Sequence, residues 1–171
     1  MSKIMMVASE VAPFIKTGGL ADVMGSLPAA LARAGESVTV VMPRYRGVDA
    51  PDFYRLREAL PVWLNGFRHS VDIVACEREG VRYLFVDAPW FYNRDGVYAS
   101  GGKDWGDNHI RYAILCLAAL AIAREIEAPE IFHVHDWQTA LLPVYQKSWF
   151  GGDPRLIGVK TMLTIHNLGY H

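Results

Sequence analysis

Ile4-Met5-Met6-Val7-Ala8, the stretch from Gly18 to Gly35, and Ser37-Val38-Thr39-Val40-Val41-Met42-Pro43 are the residues whose reading decides the fold. The first run is apolar without a break, the pattern of a strand covered on both faces. From Gly18 the period changes, and Leu20, Val23, Met24, Leu27 and Leu31 recur at helical spacing. Gly35 supplies the stop, and Pro28 predicts a kink. The third run is rich in β-branched residues. Strand, helix and strand within residues 4–42 have the length that a right-handed parallel crossover requires, so the chain opens as an α/β protein.

Outward from this unit the pattern alternates. Tyr54–Leu64, Phe67–Cys76 and Val81–Val86 read as strands joined by turns at Asn65-Gly66 and Arg78-Glu79-Gly80, which predicts antiparallel hairpins over 53–87. Pro89–Asp107 is rich in Gly, Asp, Asn and aromatic residues without a period and reads as a long surface loop. Ile110, Ala113, Ile114, Leu117, Leu120, Ala121 and Arg124 mark a helix with Asp107 or Asn108 as its N-cap. Ile131–His135 is a strand. A helical stretch follows to about Trp149, bent or delayed by Pro143. Lys160–Ile165 is the last strand, and His166-Asn167-Leu168-Gly169-Tyr170 is the loop beyond its carboxyl end.

Composition narrows the function. With 171 residues, 51% apolar and 20% charged, the chain is in the globular range and long enough for its own core. Seventeen Lys and Arg against eighteen Asp and Glu give a net charge of −1, without the basic excess with which nucleic-acid binders neutralise phosphates. No nucleic acid is expected as partner. Cys76 and Cys116 stand alone in apolar surroundings and read as buried reduced thiols. Glu10 and Pro13 come too early for a signal peptide, and Tyr112–Ala123 falls short of the about 20 residues a membrane helix needs. The expectation is a soluble, cytoplasmic protein without a membrane partner.

In an open parallel sheet, ligands bind outside the carboxyl ends of the strands. That rule gathers Ser9, Glu10 and Lys16-Thr17-Gly18-Gly19 after the first strand, His135 and Asp136 after the strand at 131–135, and His166 and Asn167 after the last one. Gly18 and Gly19 sit where the chain enters a helix, whose free amides bind anions, with Lys16 as an adjacent point charge. The spacing is neither GxxxxGK[ST] nor GxGxxG, so a phosphate site and a glycine-permitted turn with a solvated lysine both stand. His133 and His135 share one face of their strand beside Asp136, but no third ligand stands at a diagnostic spacing, so His133 reads as a core histidine and no metal is expected. Asp136 is a helix cap or a ligand contact, and His166-Asn167 a turn or a hydrogen-bonding pair for a sugar or phosphate. Trp90, Phe91, Tyr92, Tyr98 and Trp105 either stack on a ligand or fasten their loop. No Gly-x-Ser-x-Gly elbow or cysteine–histidine neighbourhood supports nucleophilic catalysis.

The chain resembles the amino-terminal portion of bacterial glycogen synthases and plant starch synthases over its whole length. The resemblance rests on residues 9–23, Leu27-Pro28-Ala29-Ala30-Leu31, Val41-Met42-Pro43-Arg44-Tyr45, Asp95-Gly96-Val97-Tyr98, residues 133–140 (His-Val-His-Asp-Trp-Gln-Thr-Ala) and residues 164–170 (Thr-Ile-His-Asn-Leu-Gly-Tyr). It implies a Rossmann-like parallel sheet with helices on both faces, in the amino-terminal domain of a two-domain GT-B type glycosyltransferase. It implies an enzyme that transfers glucose from ADP-glucose to an α-1,4-glucan with retention, without metal or other cofactor. Lys16, Gly18 and Gly19 would contact the donor's diphosphate. Glu10, Tyr98, Asp136 and Asn167 match positions around the donor and acceptor sugars, Asp22 is a further substrate-binding residue, and His166 is expected near the transferred glucose.

The chain stops at His171, inside that amino-terminal domain. The resemblance therefore predicts that the carboxy-terminal nucleotide-binding domain is missing, that residues 1–171 alone transfer little or no glucose, and that they self-associate through apolar surface left open. A non-catalytic anion- or glucan-binding module, or a truncated product that needs a partner chain, are the competing readings.

Overall fold

The computed structural model describes residues 1–169, so Tyr170, the end of the last motif quoted above, lies outside the described residues. Lys3–Val7 (β1), Gly19–Arg33 (α1) and Ser37–Pro43 (β2) form the expected crossover, with β1 and β2 parallel and Ile4 opposite Val38. Met5, Met6 and Val7 are all buried, as an uninterrupted apolar run demands of a strand covered on both sides. The α1 helix runs through Pro28 as one element rather than stopping there. Gly25 lets it approach the segment after β1: a Cβ there would stand 3.0 Å from both Cβ and the carbonyl oxygen of Ala12. The Ala12 N–H donates to the Ala21 carbonyl at 3.1 Å and ties that segment to the helix.

Tyr54–Leu64 (β3), Phe67–Arg78 (β4) and Val81–Asp87 (β5) follow. The turns carry positive φ at Asn65 and Gly66 (52° and 80°) and at Glu79 and Gly80 (51° and 74°), as two-residue hairpin turns require. The expected antiparallel hairpins form, and they belong to the main sheet. β5 pairs in parallel with β2, and β4 and β3 extend the same sheet in antiparallel fashion.

The segment expected to be a structureless surface loop has structure of its own. It contains a single helical turn, Pro89–Tyr92 (α2), and a minimal hairpin, Ala99–Ser100 (β6) with Lys103–Asp104 (β7). Its aromatic residues divide. Tyr92 is fully buried, whereas Trp90 is exposed. The helix Asn108–Glu125 (α3) is buried continuously from Arg111 to Ala123, so it is a core helix and not an amphipathic surface one. Asp107 occupies its N-cap position without a capping bond, because its carboxylate is held by Arg94 at 2.6 Å.

Ile131–His135 (β8) pairs with the free side of β1, Asp136–Thr139 (α4) and Leu141–Ser148 (α5) replace the single predicted helix, and Lys160–Thr164 (β9) pairs with β8. Pro143 falls in the first turn of α5, where its missing N–H costs nothing. The sheet order is β3-β4-β5-β2-β1-β8-β9. From β1 the chain moves to β2 on one side, and from β5 it returns through α3 to β8 on the other. Right-handed crossovers in opposite directions place α1 on one face and α3 on the other, which is the Rossmann-like arrangement.

Both cysteines are buried and free, and burial pushes their thiols up to about 11 for Cys76 and about 12 for Cys116. Among the described residues, no helix is long and apolar enough to cross a membrane. Met162, Leu163 and Ile165, on and just after the edge strand β9, are exposed.

Candidate functional site

The strand order reverses between β1 and β8, so the crevice outside the carboxyl ends of these two strands is where an open α/β sheet holds a ligand. A cavity of about 550 Å³ lies there. Its lining combines Glu10 from the segment after β1, Thr17, Gly18, Gly19 and Leu20 from the entry to α1, and Asp136, Trp137 and Gln138 from α4. His166 and Asn167 after β9, and Tyr98, Asp104 and Asn108 around the start of α3, complete it.

Glu10 organises one wall. It is almost completely buried, and its Oε2 accepts the Thr17 N–H and, at 3.1 Å, the Gly18 N–H. The Thr17 hydroxyl donates to the same carboxylate at 2.9 Å, and the Tyr98 hydroxyl donates to Oε1 at 2.9 Å. A carboxylate beside the start of α1 also gains from the positive end of the helix dipole. Ser9 Oγ lies 2.7 Å from Tyr98 Oη, so the segment after β1 is joined to the stretch that carries Tyr98. Burial and the Glu10 charge push the Tyr98 phenol far above its ordinary range, which keeps it a neutral donor.

The glycines settle one question left by the sequence. Gly18 is extended (φ −150°, ψ −165°), neither Gly18 nor Gly19 has positive φ, and a Cβ on either would meet nothing within 4 Å. The turn does not need glycine for its backbone. What two missing side chains provide is open space before a helix start that no side chain caps. Lys16 and Asp22 stand outside the cavity lining, paired with each other at 2.7 Å, both more than half exposed.

The opposite wall is built on a strained residue. Asp136 follows β8 with φ +57°, the left-handed region that Asp tolerates better than most side chains. The Thr139 hydroxyl holds this corner, accepting from the His135 N–H and donating to the His135 carbonyl, each at 2.7 Å. Asp136 does not cap α4. Its Oδ1 accepts the His166 N–H at 2.6 Å and so fastens the loop after β9. His135 Nδ1 lies 3.0 Å from His166 Nε2, and His133 Nε2 lies 2.7 Å from Thr164 Oγ1. His133 is a hydrogen-bonded core histidine; burial, with His166 nearby, lowers its pKa. Asn167 accepts the Gly169 N–H at 2.8 Å. Among the described residues, no group of three His, Cys, Asp or Glu is placed to hold a metal ion.

Of the residues singled out from sequence, Glu10, Gly18, Gly19, Tyr98, Asp136, His166 and Asn167 meet at this cavity, and Lys16 and Asp22 stand beside it. Thr17, Asn108 and Gln138 also line it. Thr17 was signalled by its place between Lys16 and the glycines; Gln138 carried no local signal. Arg111 was missed altogether. It is completely buried, donates to the carbonyls of Phe91 (2.7 Å) and Val97 (2.9 Å) and to Asn108 Oδ1 (2.6 Å), and thereby holds the segment that delivers Tyr98.

The chain is 39% identical over 171 residues to a glycogen synthase 2 of Geobacter sulfurreducens and 44% identical over 175 residues to a glycogen synthase 1 of Rhizobium meliloti. Each alignment covers 98% of this chain and 35% of the relative, so the chain spans about a third of the length of these curated relatives. The catalytic domain of starch synthase IV from Arabidopsis thaliana, solved with ADP and acarbose, superposes with a TM-score of 0.84 at 29% identity, covering 99% of this chain and 34% of that one. A sucrose-phosphate synthase from Thermosynechococcus elongatus shares the fold at 13% identity and a TM-score of 0.56. Residues 3–171 match the family described as the starch synthase catalytic domain, and the chain belongs to that family.

Proposed function

We propose that this chain forms one wall of the active-site cleft of a cytoplasmic, retaining glucosyltransferase that moves glucose from ADP-glucose to the non-reducing end of an α-1,4-glucan. The observation that carries the reading is the convergence, at the topological switch point, of an uncapped helix start on one side and the Asp136–His166–Asn167 group on the other. The first suits a diphosphate and the second suits sugar hydroxyls.

In this reading the diphosphate lies against the Gly18-Gly19 turn, where it meets the amides from Gly19 onward that Glu10 leaves free, together with Lys16 swung from Asp22. As the glucose–phosphate bond breaks, negative charge grows on the departing ADP, and donors already aimed there stabilise it without reorganising. The glucosyl carbon becomes cation-like at the same time, so the Asp136 carboxylate beside it favours the transition state through space. His166 and Asn167 hold the hydroxyls of the transferred glucose. Glu10 and Tyr98 keep the diphosphate loop in register, and Asp22 releases Lys16 when the donor arrives. The transfer uses no metal.

In this reading residues 1–171 supply the amino-terminal side of the cleft, and transfer also needs a carboxy-terminal nucleotide-binding domain facing this wall. The chain alone is expected to bind and not to turn over. Calorimetric titration with ADP, ADP-glucose and a maltooligosaccharide tests it: heat with ADP-glucose and no glucan elongation is the expected pair of results, and no heat with any of the three removes the reading. Self-association through the exposed face of β9 belongs to the same proposal, and a sharp monomer in sedimentation at high concentration would remove that part.

A further inference from the structure

The imidazole of His135 is completely buried, and its two nitrogens differ. Nδ1 lies 3.0 Å from Nε2 of His166, whereas Nε2 is buried from solvent and has no partner among the described residues. The rings of His135 and His166 are nearly parallel at 19°, with centroids 5.3 Å apart, and the His133 ring stands 4.1 Å from that of His135 on its other neighbour.

A nitrogen–nitrogen hydrogen bond contains one proton, so two arrangements are open. In the first, His135 donates from Nδ1 and leaves its buried Nε2 as a bare lone pair. In the second, His166 donates from Nε2, and neutral His135 must then carry its proton on Nε2, a buried N–H without an acceptor. At His166 both arrangements leave Nδ1 without a partner among the described residues, where water or a ligand satisfies it as donor or acceptor. The arrangements therefore differ at the one buried atom, and orphaned buried N–H groups are the rarer defect. Double protonation offers no escape, because burial and the two neighbouring histidines hold His135 down at about 3.

We propose that His135 is a positioning residue that fixes His166 as its Nδ1–H tautomer, so that His166 meets the cavity as a hydrogen-bond donor whose Nε2 lone pair is already engaged. Residues 135 and 136 then hold His166 at two points, the ring by His135 and the backbone N–H by Asp136. The inference deepens the sugar-site reading and rests on it for its consequence: His166 donates to an oxygen of the transferred glucose and does not act as a general base.

The test is nitrogen-15 spectroscopy of the histidine side chains in the labelled chain, which reads tautomers and the N–N coupling across the hydrogen bond without any ligand. The expected result is at least about a tenfold excess of the Nδ1–H form of His166, the fold-change that an unsatisfied buried donor implies. Coupling from His166 Nε2 to a protonated His135 Nδ1 should accompany it. Free imidazole side chains favour the opposite tautomer, so the signal is distinctive. His135→Asn keeps an N–H at the Nδ1 position and should retain the excess; His135→Leu should abolish it. If the leucine variant does not fold, the unaltered chain and the asparagine variant decide. A His166 protonated on Nε2, or an even mixture, overturns the proposal. A correct tautomer in a chain that gives no heat with any sugar ligand would overturn the sugar reading and leave the histidine pairing standing.

Discussion

Glu10 Oε2 accepts the Gly18 N–H at 3.1 Å, so a carboxylate of the chain itself stands at the entry to α1. Glu10 and an incoming diphosphate thus address the same helix end from two directions, Glu10 holding the amides of residues 17 and 18 and leaving those further on. Glu10→Ala should lower stability by about 3 kcal/mol, since bonds to a charged acceptor contribute about 1.5–3 kcal/mol each and the donors lost are partly solvated afterwards. Urea unfolding measures the loss, and amide exchange should show Thr17 and Gly18 losing protection first. A variant with wild-type stability and unchanged exchange would show that the loop is held by something else.

Lys16 behaves oppositely. Its pair with Asp22 is exposed on both sides, and such pairs contribute little. Lys16→Ala is expected to shift stability by less than about 0.5 kcal/mol while weakening ADP-glucose binding about tenfold or more, the separation that marks a ligand contact rather than a structural one. Titration calorimetry beside a urea curve checks both halves. Equal affinity in the variant removes Lys16 from the site.

How much of this was legible in the sequence depends on the range of the signal. The uninterrupted apolar run at 4–8 and the β-branched run at 37–43 announced parallel strands, and the Asn65-Gly66 turn announced its hairpin, because these are local backbone preferences. The gathering of Glu10, Asp136 and His166 followed from one topological rule applied to strand ends. That Glu10 serves the loop at Thr17 and Gly18, and that Asp136 serves the N–H of His166 and not the start of α4, were not legible. Both depend on distances between segments. Arg111 shows the limit best: a lone arginine in an apolar helix has no sequence pattern that separates a solvated face from a buried anchor.

The histidines predict a pH dependence. His135 falls from the ordinary 6.5 to about 3, and His133 is lowered as well, each chiefly through burial. Below about pH 6.5 the unfolded chain takes up protons that the folded chain does not, so stability is complete above that pH and is lost as pH falls toward 3. His135 alone should cost about 2 kcal/mol between pH 6.5 and 4.5. Asp107, whose pKa is lowered by its Arg94 bond, is charged in both states over that window and begins to contribute only as pH approaches its unfolded value of 3.8. Urea midpoints across the window should therefore decline, and His135→Asn should flatten most of the slope. A midpoint independent of pH from 6.5 to 4.5 would rule out the buried neutral pair.

Arg111 offers the clearest separation of stability from site geometry. Its guanidinium is completely buried and forms no ion pair among the described residues; the carbonyls of Phe91 and Val97 and the Asn108 side chain accept from Nε and Nη1, Nη2 is buried without a hydrogen-bond partner among the described residues, and the rings of Tyr92 and Tyr112 lie 5.9 and 5.5 Å from Cζ to centroid. Tyr92, whose hydroxyl donates to the Arg111 carbonyl at 2.7 Å, closes the same anchor from the other side. Arg111→Met keeps most of the volume but removes the charged donors to the Phe91 and Val97 carbonyls and to Asn108, leaving Val97 only the longer Tyr112 hydroxyl bond at 3.4 Å, so it should cost about 3 kcal/mol. Arg111→Lys should cost nearly as much, because one ammonium cannot reproduce donors spread over a planar fork. Both variants should release the 91–98 segment before the sheet unfolds, and Tyr98 would then leave Glu10 and Ser9. Fluorescence of Trp90 and Trp105, which flank that segment, read beside far-ultraviolet dichroism during a urea titration, should show an early step in the variants that the unaltered chain lacks. A single coincident transition with only a shifted midpoint would mean that Arg111 stabilises the whole domain and that the delivery of Tyr98 does not depend on it.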